Sequence, residues 1–349
     1  MFKSFRFKQK GGKESTNIQA VNYTTGISYE DAKGIALDVF KNNFYELSTS
    51  AAEVASARAE EITEKYLQEL KKKKPEAISN VNDPDIQYAL FNAQMQYARN
   101  NDADLGGILI DLLVERSEEK QRDFKQIVLN ESIEVLSKLN KEQINILTLV
   151  FCLRCIRLPQ ITSLPTLKYN LKNLFEPLFI EQDLNINHFL HLEYCGCLNV
   201  ERLGSSNLNT ILSDTYKGLF CNGFTFEHFE ERFKHLANNV LPELLIPNLH
   251  DNNKFQFNAM GNADISSERL GIPIQDVQNL IKFFDEHKMD EPQVIKSLTN
   301  LYPGYTKMLE LWERSDLKSS QITPVGMAIA YTNLQRKIEV SSDLSNWLK

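Results

Sequence analysis

The feature that most constrains the fold is a stripe of apolar residues that runs through residues 28–75. Its members are mostly four residues apart, with occasional steps of three: Ala32, Ala36, Phe40, Phe44, Leu47, Ala51, Ala55, Ala59, Ile62, Tyr66 and Leu70. This spacing is slightly longer than one helical turn, so the stripe drifts around the helix as in an eleven-residue repeat. A long helix with one apolar face needs either a partner helix or the body of its own protein.

Both ends of this segment carry helix signals. Ser28 and Asp31 form a variant of the capping box, and Lys71 to Lys74 followed by Pro75 are typical of a helix end. We therefore predict one long amphipathic helix over residues 28–75 and a homo-oligomer held together by its apolar face. The residues assigned to this oligomerisation surface are Phe40, Phe44, Leu47, Ala51, Ala55, Ile62 and Leu70.

A basic and polar leader occupies residues 1–27. Its first part contains five cations and no acid, with three phenylalanines between them: Phe2, Lys3, Phe5, Arg6, Phe7, Lys8, Lys10 and Lys13. Cations bind phosphate, and aromatic rings insert into headgroups or stack on bases. Peripheral contact with an anionic membrane or with nucleic acid is one interpretation, and a solvated arm is the other.

The next segment, residues 82–139, reads as helix throughout. Asn82, Asp83 and Pro84 supply a cap and a proline in the first turn. Asp111 and Glu115 lie one turn apart, but no histidine keeps the spacing of a di-metal helix bundle, so we interpret them as a solvated face. The Gly106-Gly107 pair lacks the spacing of a phosphate-binding loop.

From residue 140 the pattern changes to three short helices followed by two strand-like runs. The runs CLNVERL and NLNTILS are joined by Gly204, Ser205 and Ser206. Three helices and a two-stranded hairpin are the order of a winged helix, so residues 140–225 are predicted to form a winged-helix-like unit. The predicted fold class is mainly α and multi-helical, with winged-helix-like units that carry short β-hairpins.

The C-terminal helical unit, residues 226–349, contains a helix-turn-helix-like stretch at 265–284. Leu270, Gly271 and Ile272 match its turn, and Val277 and Leu280 match the apolar positions of the second helix. The exposed positions would be Gln275, Gln278, Asn279 and Lys282, whose side chains could contact bases and phosphates. Because Asp276 opposes phosphate and cations are few, a helix pair used only for packing is the alternative.

One stretch, NHFLHLEYCGCLNVERLG at 187–204, concentrates metal-binding side chains. His188, His191 and Cys195 follow one another by about one turn, and Cys152 with Cys155 supplies a CxxC pair. Zinc needs four such ligands in a tetrahedron. The alternative is a set of core thiols and helix-end histidines, with Gly196 ending a helix, because unpaired cysteine is among the most buried residue types. Beyond zinc we predict no cofactor.

Charge and cysteine content exclude several classes of protein. The net charge of −7 disfavours a nucleic-acid footprint spread over the whole surface. The five cysteines lie in apolar runs and no secretory pattern opens the chain, so we expect reduced thiols in the cytoplasm. No run approaches a membrane span. The sequence contains no HExxH, GxSxG, P-loop or Rossmann fingerprint and points to no catalytic residue.

Five segments carry a family resemblance. STNIQA with GISYEDAKGIALDVFKNNF, LSKLNKEQINIL, HLEYCGCL, SDTYKGLF and ITPVGMAI resemble an uncharacterised bacterial family that is similar to the abortive-infection alpha proteins of phage defence. The shared motifs are structural and assign no active-site residue. The resemblance implies a bacterial, cytoplasmic, mainly helical protein that takes part in anti-phage defence as sensor, adaptor or effector.

Three functional hypotheses follow. The first is a non-enzymatic interaction protein that oligomerises and binds a protein partner, because the strongest pattern is an amphipathic stripe. The second is a DNA-binding regulator that uses residues 265–284 or the wing near Gly204. The third is a small zinc-binding protein.

Overall fold

The computed structural model describes residues 28–43, 49–119, 121–180, 184–236, 241–339 and 343–348, and the leader 1–27 lies outside them. Helices dominate this part of the chain, which confirms the mainly α prediction. The helices are α1 (Tyr29–Asn43), α2 (Thr49–Lys73), α3 (Pro84–Asn100), α4 (Ala103–Glu118), α5 (Phe124–Leu136), α6 (Lys141–Arg154), α7 (Leu164–Asn170), α8 (Glu176–Ile180), α9 (Ile186–Tyr194), α10 (Leu208–Thr215), α11 (Phe226–Phe233), α12 (Leu241–Leu244), α13 (Ser267–Leu270), α14 (Ile274–Glu286), α15 (Glu291–Leu301), α16 (Tyr305–Arg314) and α17 (Pro324–Gln335). The strands are β1 (Leu198–Val200), β2 (Leu245–Pro247), β3 (Phe255–Phe257) and β4 (Ser320–Ile322).

The segment predicted as one long helix folds back on itself as α1 and α2. The ammonium of Lys71, at the end of α2, lies 5.8 Å from the ring centre of Tyr29, at the start of α1. Lys33 and Glu60 form an ion pair at 3.3 Å between the two helices. The two helices are therefore antiparallel neighbours, and the prediction of a single helix over 28–75 is wrong. The weak helix formers Asn42 and Asn43 are the last two residues of α1.

The apolar stripe packs inside the chain. Eight of its members are buried: Ala32, Ala36, Phe40, Ala55, Ala59, Ile62, Tyr66 and Leu70. They pack α1 and α2 against α3 and α4, and the Gln94 amide of α3 donates to the Thr63 hydroxyl at 2.8 Å. The sequence left two partners open for this apolar face, a second helix or the body of the same protein. In the structure the partner is the body of the same protein.

Two buried helices, α6 and α17, form the centre of the main core, the buried cluster between Ala32 and Phe220 and between Val294 and Leu348. Every residue of α6 from Gln143 to Leu153 is buried. Such a helix must satisfy its polar side chains internally. The Asn333 amide of α17 does so by donating to the Thr148 hydroxyl of α6 at 2.8 Å.

The wing predicted after Gly196 does not form. β1 pairs antiparallel with β4, which places Leu198 opposite Ile322, and the run NLNTILS is helix α10 instead of a strand. The side chain of Asn207 accepts from the backbone amides of Asn209 and Thr210 and so caps α10. The stabilisation from this asparagine cap outweighs the alternation of polar and apolar residues that suggested a strand.

A second and smaller hydrophobic cluster, the aromatic core, contains fourteen buried residues among those described between Cys221 and Phe284. Its secondary structure is the β2–β3 hairpin with α11, α13 and α14. Six of the fourteen residues are phenylalanines: Phe224, Phe229, Phe233, Phe257, Phe283 and Phe284. The aromatic core therefore contains residues from both sides of the domain boundary that the sequence predicted between residues 225 and 226.

Candidate interaction surface

Helix α9, in the stretch with histidines and cysteines, has one face turned into the main core. The side chain of Asn185 caps it by accepting from the Asn187 amide at 2.9 Å. Phe189 and Leu192 are fully buried on its inner face. The helix is therefore capped at its start and fixed to the body of the protein by one apolar face.

The end of α9 is fixed by a glycine. Gly196 has φ 72°, the left-handed conformation that favours glycine, and the Cys197 amide donates back to the Leu192 carbonyl at 2.9 Å. The Thr323 hydroxyl donates to the Gly196 carbonyl at 2.6 Å. The turn thus joins α9 to the start of α17, and the prediction that Gly196 ends a helix is confirmed.

The outer face of α9 is apolar as well. Ile186, Leu190 and Tyr194 follow one another at intervals of four residues and are 59%, 43% and 83% exposed. Soluble proteins expose single apolar side chains routinely, but an aligned series of them marks an interaction site. Nearby in sequence, Leu203 is fully exposed in the turn after β1. This α9 face, defined by Ile186, Leu190 and Tyr194, is the best candidate for a functional surface.

Sequence reasoning missed the α9 face, although a signal was present. The run INHFLHLEY has apolar residues at Phe189 and Leu192 and a second set at Ile186, Leu190 and Tyr194. The two sets together make a wide apolar surface, and such a surface on a helix is usually buried. Here only one of the two faces is covered.

The candidate zinc ligands are used by the protein itself. Nδ1 of His191 accepts from the Gln143 amide at 2.8 Å, since an amide nitrogen only donates, and Nε2 lies 3.7 Å from the Cys195 sulfur. Nε2 of His188 lies 3.6 Å from a Glu142 oxygen. Among the residues that the structure describes, no three His, Cys, Asp or Glu side chains are placed to hold a metal ion.

Burial also disfavours deprotonation of the cysteines, and zinc binds the deprotonated thiolate. It raises the pKa of Cys155 to about 11 and that of Cys197 to about 12. The pKa of Cys152 and that of Cys195 are raised by burial too. All five cysteines are unbridged. The side chains of His188, His191, Cys195, Cys152 and Cys155 thus pack and form hydrogen bonds within the chain, and zinc binding by them stays a prediction.

The helix-turn-helix-like stretch has the predicted turn but a short first helix. Gly271 takes the left-handed conformation at φ 64°, and α13 spans only Ser267–Leu270. The four predicted nucleic-acid contacts all lie exposed on α14: Gln275, Gln278, Asn279 and Lys282. The carboxylate of Asp276 on the same helix lies 2.8 Å from Nε2 of His235 and accepts from its N–H. DNA reading by this helix stays a prediction.

The structure buries most of the residues that were predicted to form an oligomerisation surface. Phe40, Ala55, Ile62 and Leu70 are buried inside the chain, and Ala51 is exposed. Phe44 and Leu47 lie outside the described residues. The buried four have no apolar surface left for another subunit, so an oligomer of this folded chain would need a different face.

Three comparisons with known proteins add the following. The sequence model of one uncharacterised family matches residues 26–348. No curated protein and no solved structure matches the chain. Within the described ranges, no helix is long and apolar enough to cross a membrane.

Proposed function

The chain belongs to this uncharacterised family, and we propose that it acts as a non-enzymatic interaction protein that pairs with a second copy of itself through the α9 face. The observation that carries the proposal is the aligned exposure of Ile186, Leu190 and Tyr194 on a helix whose other face is anchored in the main core. A rigid, anchored helix presents its apolar side chains without a large ordering cost on binding.

A second copy fits this face because the face is symmetric about Leu190. In an antiparallel pair of α9 helices related by a two-fold axis at Leu190, Ile186 of one copy lies opposite Tyr194 of the other. The same axis places Asn187 opposite Glu193, an amide donor opposite a carboxylate acceptor. Apolar residues meet apolar residues, and the flanking polar residues are complementary.

The size of the face sets the expected strength of the pair. A helix of nine residues is about 13 Å long, whereas a standard interface buries about 800 Å² on each partner. The turn that carries Leu203 must contribute for the interface to approach that size. We therefore expect a reversible dimer whose population depends on protein concentration.

Light scattering over a dilution series tests this proposal. Tyr194→Asp and Leu190→Asp place a charge in the apolar centre, and each variant should shift the protein to monomer at concentrations where the wild type is dimeric. Tyr88→Asp is the matched control, because Tyr88 is 58% exposed on α3, away from α9 in the chain. A wild type that is monomeric throughout, or Asp variants that dimerise as the wild type does, would overturn the proposal.

The biological role that we propose is anti-phage defence, with the chain acting as sensor, adaptor or effector in the bacterial cytoplasm. Its support is the resemblance to the abortive-infection alpha proteins. Phage challenge of cells with and without the gene tests this role, and the Tyr194→Asp variant tests whether the α9 face contributes to it. Equal plaque numbers with and without the gene would refute the role.

A second candidate function is DNA reading by α14, and the exposure of all four predicted contacts favours it. Retention on duplex DNA should then fall steeply with salt, because phosphate contacts release counterions. The Lys282→Gln variant should reduce the slope of that dependence, and Lys307→Gln on α16 serves as control. Retention that is absent at low salt would refute DNA reading and leave the α9 proposal untouched.

A further inference from the structure

A groove of about 780 Å³ lies between α2, α4 and the end of α17. Its walls combine cations and carboxylates with the small residues Ala103, Gly106 and Gly107 of α4. A volume in this range is typical of sites that hold small molecules. The groove is separate from the α9 face, because none of its lining residues belongs to α9.

Two cations from different helices converge on one carboxylate in this groove. The ammonium of Lys73 lies 2.8 Å from one Asp111 oxygen, and the guanidinium of Arg336 lies 2.7 Å from the other. The side chain of Asp111 is 16% exposed, whereas those of Lys73 and Arg336 are 45% and 41% exposed. Asp111 is thus shared by the two cations, Glu69 also lies 3.4 Å from Lys73, and both cationic side chains remain accessible from the groove.

Two more lysines line the α2 wall. Lys65 and Lys72 flank Gln68 on one side of the helix, and their side chains are 51% and 74% exposed. Lys65 pairs with Glu61 at 2.6 Å, and Lys72 lies 3.7 Å from Glu69. This wall therefore offers a row of hydrogen-bond donors to a ligand.

The carboxylates of the groove are mostly engaged by cations. The carboxylate of Glu69 lies 3.4 Å from the ammonium of Lys73 and 3.7 Å from that of Lys72. Glu115 lies 3.7 Å from Lys125, a lysine outside the groove, and burial raises the pKa of its carboxyl group. Both effects reduce the repulsion that Glu115 would exert on an anion.

Gly107 makes room for the Arg336 guanidinium. A Cβ atom at Gly107 would lie 2.3 Å from one of its terminal nitrogens, well inside contact distance. The guanidinium therefore lies directly over the α4 backbone, where only a glycine leaves space for it. Arg336 holds this position by its bond to Asp111.

We propose that this groove binds a small phosphorylated molecule. The planar fork of Arg336 and the point charges of Lys65, Lys72 and Lys73 are the donors that phosphate oxygens accept from. The phosphate would compete with Asp111 for Arg336 and Lys73, and the rest of the molecule would fill the remaining volume. The binding involves no covalent step.

Calorimetric titration of the full chain with inorganic pyrophosphate, at constant ionic strength, tests the site. We expect saturable binding that weakens at least tenfold in Arg336→Gln and in Lys72→Gln. Lys307→Gln, an exposed lysine on α16, is the matched control and should bind within twofold of the wild type. The absence of saturable binding, or equal weakening in all three variants, would refute the proposal.

Gly107→Ala provides a test that keeps every charge. The new methyl group displaces the Arg336 guanidinium, a flexible group that can move, while alanine favours the helix. We expect weaker pyrophosphate binding, by about fivefold or more, with an unchanged or higher melting temperature. Wild-type affinity in Gly107→Ala would show that the position of the guanidinium is irrelevant and would contradict the proposed site.

Discussion

The main core and the aromatic core are built in opposite ways. The main core joins residues far apart in sequence, such as Thr148 and Asn333, and centres on two buried helices. The aromatic core uses one continuous stretch between Cys221 and Phe284, with helices and strands as short as three or four residues. Elements that short cannot bury much aliphatic surface, so phenylalanine rings supply the buried area instead.

The two cores therefore differ in how strongly the loss of one side chain should destabilise them. Phe283 lies within ring-contact distance of Phe224, Phe229, Phe233 and Phe257. One side chain thus contacts four of the other five phenylalanines of the aromatic core. In the main core the packing is distributed over many helices, and a single side chain touches a small share of it.

Phe283→Ala should have the largest effect and should separate the two cores. Removing a buried ring costs about 3–5 kcal/mol. Hydrogen exchange should then accelerate at residues 221–287, while α6 and α17 keep their protection. Phe226→Ala is the control, since Phe226 is 37% exposed. Uniform acceleration through both cores would show that they unfold as one unit.

Gly326→Ala should disturb the main core where α17 meets β1. A Cβ atom there would lie 2.0 Å from the Cys197 carbonyl oxygen, a backbone atom that cannot turn aside. We expect a loss of about 1–3 kcal/mol in the free energy of unfolding, measured by urea denaturation. Faster exchange should appear first in α17. Stability equal to the wild type would show that the β1–α17 contact is loose.

Acid should weaken the main core before the aromatic core, because of the Asp85–Arg116 pair. Arg116 is almost fully buried and donates to Asp85 and to Asn130. Burial alone raises the pKa of Asp85, but hydrogen bonds from Asn130 and Arg116 outweigh it and lower that pKa below its usual value. The stabilisation is therefore complete above the unfolded pKa, about 3.9, and is lost as pH falls through the lower folded pKa.

Asp85→Asn tests this prediction. The variant should lose about 1–2 kcal/mol at neutral pH, a figure reduced because Asp85 is half exposed, and it should lack the wild type's acid-dependent loss. Urea denaturation at neutral pH and below pH 4 makes the measurement. Glu286, which pairs with Arg232 beside the aromatic core, is the comparison site: the hydrogen bond from Arg232 lowers its pKa as well, but the pair is exposed to solvent, so Glu286→Gln should change the acid profile less than Asp85→Asn does. An acid profile of Asp85→Asn identical to that of the wild type would contradict the assignment.

Gly34→Ala should have the smallest effect, and in the opposite direction. Among the residues that the structure describes, no atom beyond the chain neighbours and the helix's own nearby backbone lies within 4 Å of a Cβ at this position of α1. Alanine should therefore add up to about 1 kcal/mol through helix propensity alone. A melting-temperature rise of a few degrees is expected. A fall would indicate that α1 is strained against α2.

The sequence predicted local features well and distant pairings poorly. The stripe from Ala32 to Leu70 and the helix end at Gly196 follow from short-range spacing, and both are present. The partner of β1 is β4, about 120 residues later, and no local pattern indicates that pairing. The groove was missed for the same reason. Asp111 was interpreted together with Glu115 as part of a solvated face, because its partner Arg336 is 225 positions away in the sequence.

The chain enters and leaves the aromatic core at one place. The Asn222 amide donates to the His287 carbonyl at 2.8 Å, and the Met289 amide donates to the Phe220 carbonyl at 2.9 Å. Between these two bonds, Cys221 and Lys288 pair as an isolated antiparallel β-bridge. Residues 222–287 therefore have the geometry of an insertion in a host protein. A short connector between Cys221 and Lys288 could replace them without stretching the host backbone. Lys217 of the host is buried and donates to Asn262 inside this segment at 2.7 Å, so an exchange of the aromatic core has to supply a new partner for that lysine.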